Sequence, residues 1–226
     1  MMDQIRPGLF GKAVAADSRR IEFDFLNEQL LYLGRRPDIL FGGDSITHYW
    51  DLNAYFGVAK CLVNRGIGGD TTEYILRRFD ADVIQLRPKL VVLMAGTNDF
   101  FATHCDPWWR TTGADTEAVL AGIQANFAAI VEKCQQAGVR LALCSVLPSD
   151  IAPPFDKRLW WELTARLNRF LQGLCAEHGL TYVDYHAKLC QADGRTLIYE
   201  LSPDGIHPNA RGYEIMARVL RGAIGL

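Results

Sequence analysis

The chain has 226 residues, 49% of them hydrophobic, with 24 basic against 26 acidic side chains and a formal net charge of -2. That length suits one domain with a substantial core, so a single domain over residues 1–226 is expected. The balanced charge, with no block of one sign, argues against nucleic acid or an anionic membrane surface as a partner.

Residues 1–7 lack the apolar core of a secretory signal. Residues 21–33 place Ile21, Phe25, Leu26, Leu30 and Leu33 at helical spacing. A strand is predicted at 38–42, and a short second one at 61–64. The run 90–95 is continuously apolar, as in a strand covered on both faces, and is too short to span a bilayer. A long helix is predicted over 117–136, ended by Gly138, then a strand over 139–146. A helix over 159–178 ends at Gly179, a strand follows at 180–184, and a closing helix over 209–224 has Asn209 as its cap. Strand–helix alternation of this kind predicts a parallel sheet with helices on both faces. The longest irregular stretch is 100–115, with Phe101, Trp108 and Trp109. A loop of that length in a compact domain is usually functional, and here packing that also walls a pocket is expected. Six cysteines stand at wide spacing with no C-x-x-C pair, which reads as reduced thiols in a cytoplasmic protein.

Four segments carry the chemistry. The first is Gly43-Asp44-Ser45, where an apolar run meets glycines and then a lone hydroxyl. A serine just past a strand's carboxyl end stands where ligands bind in α/β sheets, and a helix starting there would turn its N–H groups toward them. The competing role for Ser45 is a helix cap. The second segment, Asn64 to Thr72, is glycine-rich but has neither a dinucleotide fingerprint nor a Walker lysine. Within it, Asp70 and Glu73 read as a capping box and Asp70 as structural. The third is Gly96-Thr97-Asn98-Asp99. The fourth, Ser202 to Asn209, holds Asp204 and His207.

Ester hydrolysis by serine needs a hydroxyl, an imidazole base, a carboxylate to orient it and donors for the oxyanion. Loops after successive parallel strands converge on one edge, so these segments can supply all four. The two residues between Asp204 and His207, one of them Gly205, let the chain turn so that the carboxylate reaches a ring nitrogen. A helix N-terminus nearby disfavours the imidazolium; Asp204 offsets this and holds the tautomer that leaves the other nitrogen as base. Gly69 can offer a backbone N–H to the oxyanion, and Asn98 a side-chain N–H. Taken singly, Asp204 is a turn residue and His207 a surface histidine; with Ser45 they form a set.

In this order the segments resemble the GDSL lipolytic enzymes, or SGNH hydrolases, named for Ser, Gly, Asn and His in four blocks that match Ser45, Gly69, Asn98 and His207. Asp204 matches the triad acid of the D-x-x-H block. Residues 64–72, with 77–90 leading into Gly96-Thr97-Asn98, look most like the platelet-activating-factor acetylhydrolase-like branch. The resemblance spans 39–216. Ile46 replaces the name-giving Leu, and the insertion at 100–115 is less typical and bears on substrate size. The resemblance implies a three-layer α/β/α sandwich with a five-stranded parallel sheet, flavodoxin-like. It also implies an oxyanion hole of the Ser45 N–H, Gly69 N–H and Asn98.

The expectation is therefore a serine esterase with Ser45, Asp204 and His207 as catalytic residues. It would act on acetyl or short acyl esters, or on lysophospholipid-like ones, through an acyl-enzyme. No metal or organic cofactor is implied, and His104, Cys105 and Asp106 read as loop residues. The partner is a small-molecule ester, with a homo-oligomer left open and no integral membrane association. Trp108, Trp109 and Phe155 are candidates for an apolar pocket or for plain core packing. The rival reading is a catalytically silent SGNH scaffold, which should lack Ser, His or a hole residue; none is missing.

Overall fold

A computed structural model describes residues 4–7, 14–106 and 111–226. In chain order it contains α1 (Arg19–Tyr32), β1 (Ile39–Gly43), α2 (Ser45–His48), α3 (Leu52–Phe56), β2 (Leu62–Gly66), α4 (Thr72–Asp82), β3 (Leu90–Met94), β4 (Cys105–Asp106), β5 (Thr111–Thr112), α5 (Thr116–Gln136), β6 (Arg140–Cys144), α6 (Lys157–His178), β7 (Thr181–Val183), α7 (His186–Leu189) and α8 (Ala210–Ile224). The architecture is α/β, a five-stranded parallel sheet of order β2-β1-β3-β6-β7 with flanking helices. The expected strands and helices are all present, with ends shifted by a few residues.

The chain forms two compact units. The first comprises the described residues up to Ala95 together with Ala125–Ala142. Here β1 pairs in parallel with both β2 and β3, so that Gly43 stands opposite Gly66 on one side and Met94 on the other. All five β1 residues are buried, which explains why the strand reads as an unbroken apolar-glycine run. Leu40, Phe41, Ile75, Phe79, Val91 and Phe127 belong to this unit's core. Beside them lies a buried polar cluster. Arg65 donates from Nε and Nη2 to Asn27 Oδ1 at 3.1 and 2.8 Å and lies over the Phe23 ring at 4.8 Å. Burial pushes the Arg65 pKa down to about 10, against the pull of Asp82.

The second unit comprises Gly96–Gln124 and Leu143–Leu226. Leu163, Leu167, Leu171 and Leu174 put the α6 apolar stripe at i, i+3/i+4 spacing, and all four are buried. Tyr213, Met216, Ala217 and Leu220 do the same on α8. Asn209 caps α8 as expected, accepting from the backbone N–H groups of Arg211 at 3.0 Å and Gly212 at 3.2 Å. The stretch expected to be irregular over 100–115 is partly ordered: a 3-10 turn runs over Asn98–Thr103, and β4 and β5 form a two-residue antiparallel ladder. Elements this short carry no readable periodicity. Among the described residues no helix is long and apolar enough to cross a membrane, and Cys61, Cys134, Cys144, Cys175 and Cys190 are free thiols.

Candidate active site

Ser45 is the first residue of α2. The cap of that helix is Asp44, whose Oδ1 accepts from the Ile46 N–H at 3.0 Å. The capping role considered for Ser45 thus belongs to its neighbour. The bend from β1 into α2 depends on Gly43, with φ +155°. A Cβ there would lie 2.3 Å from Thr47 Oγ1 and 2.4 Å from the Met94 carbonyl oxygen, so no larger residue fits. Asn64 on β2 ties the other end of α2: its Nδ2 donates to the carbonyls of Thr47 at 2.7 Å and Trp50 at 3.2 Å, while its Oδ1 accepts from the Gly66 N–H at 2.8 Å.

After β2 the chain turns over Ile67–Asp70, closed by Asp70 N–H donating to the Ile67 carbonyl at 3.2 Å. Gly69 sits at the third position with φ +82°, the backbone that a type II turn demands there. Among the described residues its N–H has no protein acceptor. The preceding Gly68 lies against the nucleophile candidate, since a Cβ built on it would be 3.8 Å from Ser45 Cβ. The turn is anchored from below. Buried Asp70 accepts from Arg78 Nε at 2.7 Å and from the Ala16 N–H at 2.8 Å. Burial raises its pKa, and the Arg78 charge and these hydrogen bonds oppose the rise. Arg78 also donates to the carbonyls of Arg65 at 2.9 Å and Gly43 at 3.2 Å, and to Asp82 at 3.1 Å. The capping box expected from Asp70 and Glu73 is not formed. Thr71 caps α4, accepting from the Tyr74 N–H at 3.4 Å, and Glu73 pairs with Arg77 on the helix surface. Asp70 is structural, as expected, but as the partner of Arg78, a contact the sequence analysis missed.

In the second unit, Asn98 opens the 3-10 turn and is half-buried. Asp204 and His207 are brought together: His207 Nδ1 lies 2.6 Å from Asp204 Oδ2. The other carboxylate oxygen accepts from the backbone N–H groups of Ile206 at 2.9 Å and His207 at 2.8 Å, and from Ser202 Oγ at 3.2 Å. Partial burial acts against the Asp204 charge, yet the His207 hydrogen bonds and the Ile206 N–H outweigh it and bring the pKa to about 2. An ionised carboxylate only accepts, so Nδ1 carries the imidazole proton and Nε2 is the basic nitrogen. Behind this turn the Asp150 N–H donates to the Gly205 carbonyl at 2.8 Å, and Lys157 pairs with the Asp150 carboxylate.

Phe155 packs into an aromatic cluster, 5.1 Å from Phe101, 5.4 Å from His104 and 6.2 Å from Trp160 between ring centroids. This is the packing role considered for it, and it also accounts for His104. Trp108 and Trp109 lie outside the described residues. Among the described residues no group of three or more His, Cys, Asp or Glu could hold a metal ion.

Comparison with known proteins gives a consistent result. A family model described as the GDSL-like lipase/acylhydrolase family matches residues 41–215. Platelet-activating factor acetylhydrolase IB subunit alpha1 of Bos taurus is 26% identical over 196 residues, covering 84% of this chain and 76% of that protein. An acetylxylan esterase of Xylanibacter ruminicola is 27% identical over 190 residues, covering 78% of this chain and 36% of that protein. A GDSL-like lipase from Bacteroides thetaiotaomicron has a similar crystal structure, with TM-score 0.73 and 27% identity, covering 91% of this chain and 96% of that one.

Proposed function

We propose, from the fact that this chain belongs to the GDSL-like lipase/acylhydrolase family, that it cleaves acetyl and short acyl esters by way of Ser45, His207 and Asp204. Hydrolysis of ester bonds is the activity of the family and of the relatives it matches. The observation that carries the finer reading is the 2.6 Å contact between His207 Nδ1 and Asp204 Oδ2, which leaves Nε2 as an oriented base.

In this reading the Ser45 hydroxyl gives its proton to His207 Nε2 as its oxygen bonds to the ester carbonyl carbon. The carbonyl oxygen becomes an oxyanion facing the N–H groups of Ser45 and Gly69 and the Asn98 amide. The C–O bond to the alcohol then breaks, and the leaving oxygen takes the proton from His207. Water, deprotonated by the same nitrogen, attacks the acyl-Ser45 carbonyl, and the acid departs with Ser45 restored. Asp204 stays ionised throughout and stabilises the imidazolium each time it forms.

Placement supports the set. The carboxyl ends of β1, β2 and β3 stand side by side at Gly43, Gly66 and Met94, and Ser45, Gly69 and Asn98 each follow one of those ends by two to four residues. The choice of acetyl or short acyl groups is supported by the matched relatives, one named as an acetylhydrolase and one as an acetylxylan esterase. Free thiols favour a reducing compartment, so a cytoplasmic enzyme is part of the same reading, as is one catalytic domain over residues 1–226. The test is hydrolysis of p-nitrophenyl acetate and its longer-chain homologues by wild type and Ser45→Ala. Serine-dependent turnover, greatest for the shortest acyl groups, is the expected result. Equal rates for the two proteins, or a long-chain optimum, would overturn the mechanism or the substrate class respectively.

A further inference from the structure

His48 closes the single turn of α2, three residues after Ser45. Its Nδ1 accepts a hydrogen bond from the Gly68 N–H at 3.2 Å. A ring nitrogen that accepts carries no proton, so in this arrangement the imidazole proton is on Nε2. Gly68 is the residue just before Gly69 in the turn. A Cβ built on Gly68 would lie 3.7 Å from His48 Nδ1 and 3.8 Å from Ser45 Cβ, so this position faces both Ser45 and His48 of α2. The ring is half-buried and stacks near Tyr49, with 5.0 Å between centroids.

We propose that His48 is a positioning residue for the esterase reaction: by holding the Gly68 N–H it fixes the Gly68–Gly69 turn against Ser45 and aims the Gly69 N–H at the oxyanion. The role rests on the reading of Gly69 as an oxyanion donor. Two consecutive N–H groups are then divided between two tasks. The first is consumed by a side chain on the nucleophile's own helix. The second is left for the substrate, in a turn that cannot rotate while the first is held.

The chemistry of the acceptor sets a pH dependence. Burial lowers the His48 pKa and the nearby Arg19 charge lowers it further, while Asp17 and Glu22 pull the other way. The neutral, accepting ring therefore persists through neutral pH. Once protonated, the ring presents an N–H to the Gly68 N–H, and the hold is lost. The acid side of the activity profile should then contain two ionisations, of His48 and of the general base.

The experiment compares wild type, His48→Leu and His48→Asn, since the Asn Oδ1 falls close to the place of a histidine Nδ1 and accepts at every pH. Displacing an oxyanion donor should cost less than deleting one, so His48→Leu is expected to lower kcat by about 10- to 100-fold with KM nearly unchanged. His48→Asn should keep kcat within about threefold of wild type, and its log kcat should fall toward low pH with the slope of one ionisation instead of two. Wild-type kcat in His48→Leu, or a loss in His48→Asn equal to that in His48→Leu with an unaltered acid limb, overturns the proposal. Thermal melts of both variants identify a loss due to unfolding, and a kcat loss that only tracks the melts counts against positioning. Long-range proton–nitrogen correlation spectra of wild type and Ser45→Ala should show His48 with its proton on Nε2. A proton on Nδ1 sinks the hydrogen bond itself, whatever the activity. Hydrolysis that does not depend on Ser45 instead overturns the triad reading, and the spectra separate that failure from this one.

Discussion

Arg78 Nη2 donates to the Gly43 carbonyl oxygen over 3.2 Å, so a buried guanidinium on α4 holds the backbone two residues before Ser45. The same side chain reaches the end of β2 and the residue after Gly69. One cation thus fastens two backbone carbonyls and the Asp70 carboxylate, which flank the proposed oxyanion donors.

Replacing Arg78 with Leu deprives buried Asp70 and Asp82 of a counter-charge. Breaking a buried ion pair from one side costs about 3–5 kcal/mol, and that is the expected loss in urea denaturation. Arg78→Lys restores the charge without the planar fork and should recover only part of it. A loss below about 1 kcal/mol for Arg78→Leu would show that the cluster is not holding the fold.

Asn98→Ala removes one of three proposed oxyanion donors while leaving the triad in place. The expected effect is a kcat lower by about 10²- to 10³-fold with little change in KM. Steady-state kinetics on p-nitrophenyl acetate measures it, and unchanged turnover would take Asn98 out of the mechanism.

Asp204→Asn keeps the shape of the turn but supplies an amide to His207. With the imidazole free to take the wrong tautomer, kcat should fall on the order of 10⁴-fold. The same variant tests a stability effect. The Asp204 pKa is about 2 in the folded chain, below the ordinary carboxylate value, so its ionised form favours folding. That contribution is full above the unfolded pKa and is lost as pH falls through the folded one. The gap between wild-type and Asp204→Asn urea midpoints should therefore be constant from about pH 7 to 5 and close between about pH 4 and 2. A gap that persists unchanged to pH 2 would contradict the assignment.

Gly43→Ala forces a methyl into the space of Thr47 Oγ1 and the Met94 carbonyl, neither of which is the tip of a flexible side chain. Overpacking of this kind should cost at least about 2–3 kcal/mol. A melting temperature lower by roughly 5–10 °C, read by circular dichroism, is the expected outcome.

The sequence carried the parts of this molecule that depend on neighbours in the chain. The β1 run is legible because every residue in it is buried, and the Asn209 cap and the α6 and α8 stripes follow from local periodicity. The Asp204–His207 contact is also local, three residues apart, so its spacing was enough to anticipate it. Contacts chosen by packing were not legible. Nothing in residues 70–73 says that Thr71 takes the cap while Asp70 turns inward to Arg78, because either residue is a good cap alone. His48 escaped notice for the same reason: its partner is a backbone N–H twenty residues away, a group with no signature in the amino-acid order.

β1 is paired residue by residue on both sides along its whole length. A strand held this way has no slack. Adding or deleting one residue within it would turn every later side chain to the opposite face and carry the Ser45 hydroxyl out of its place. Inheritable change in this protein is thereby channelled. The spacing between β1 and Ser45 behaves as a fixed gauge, so tolerated changes of length are confined to chain outside the paired strand.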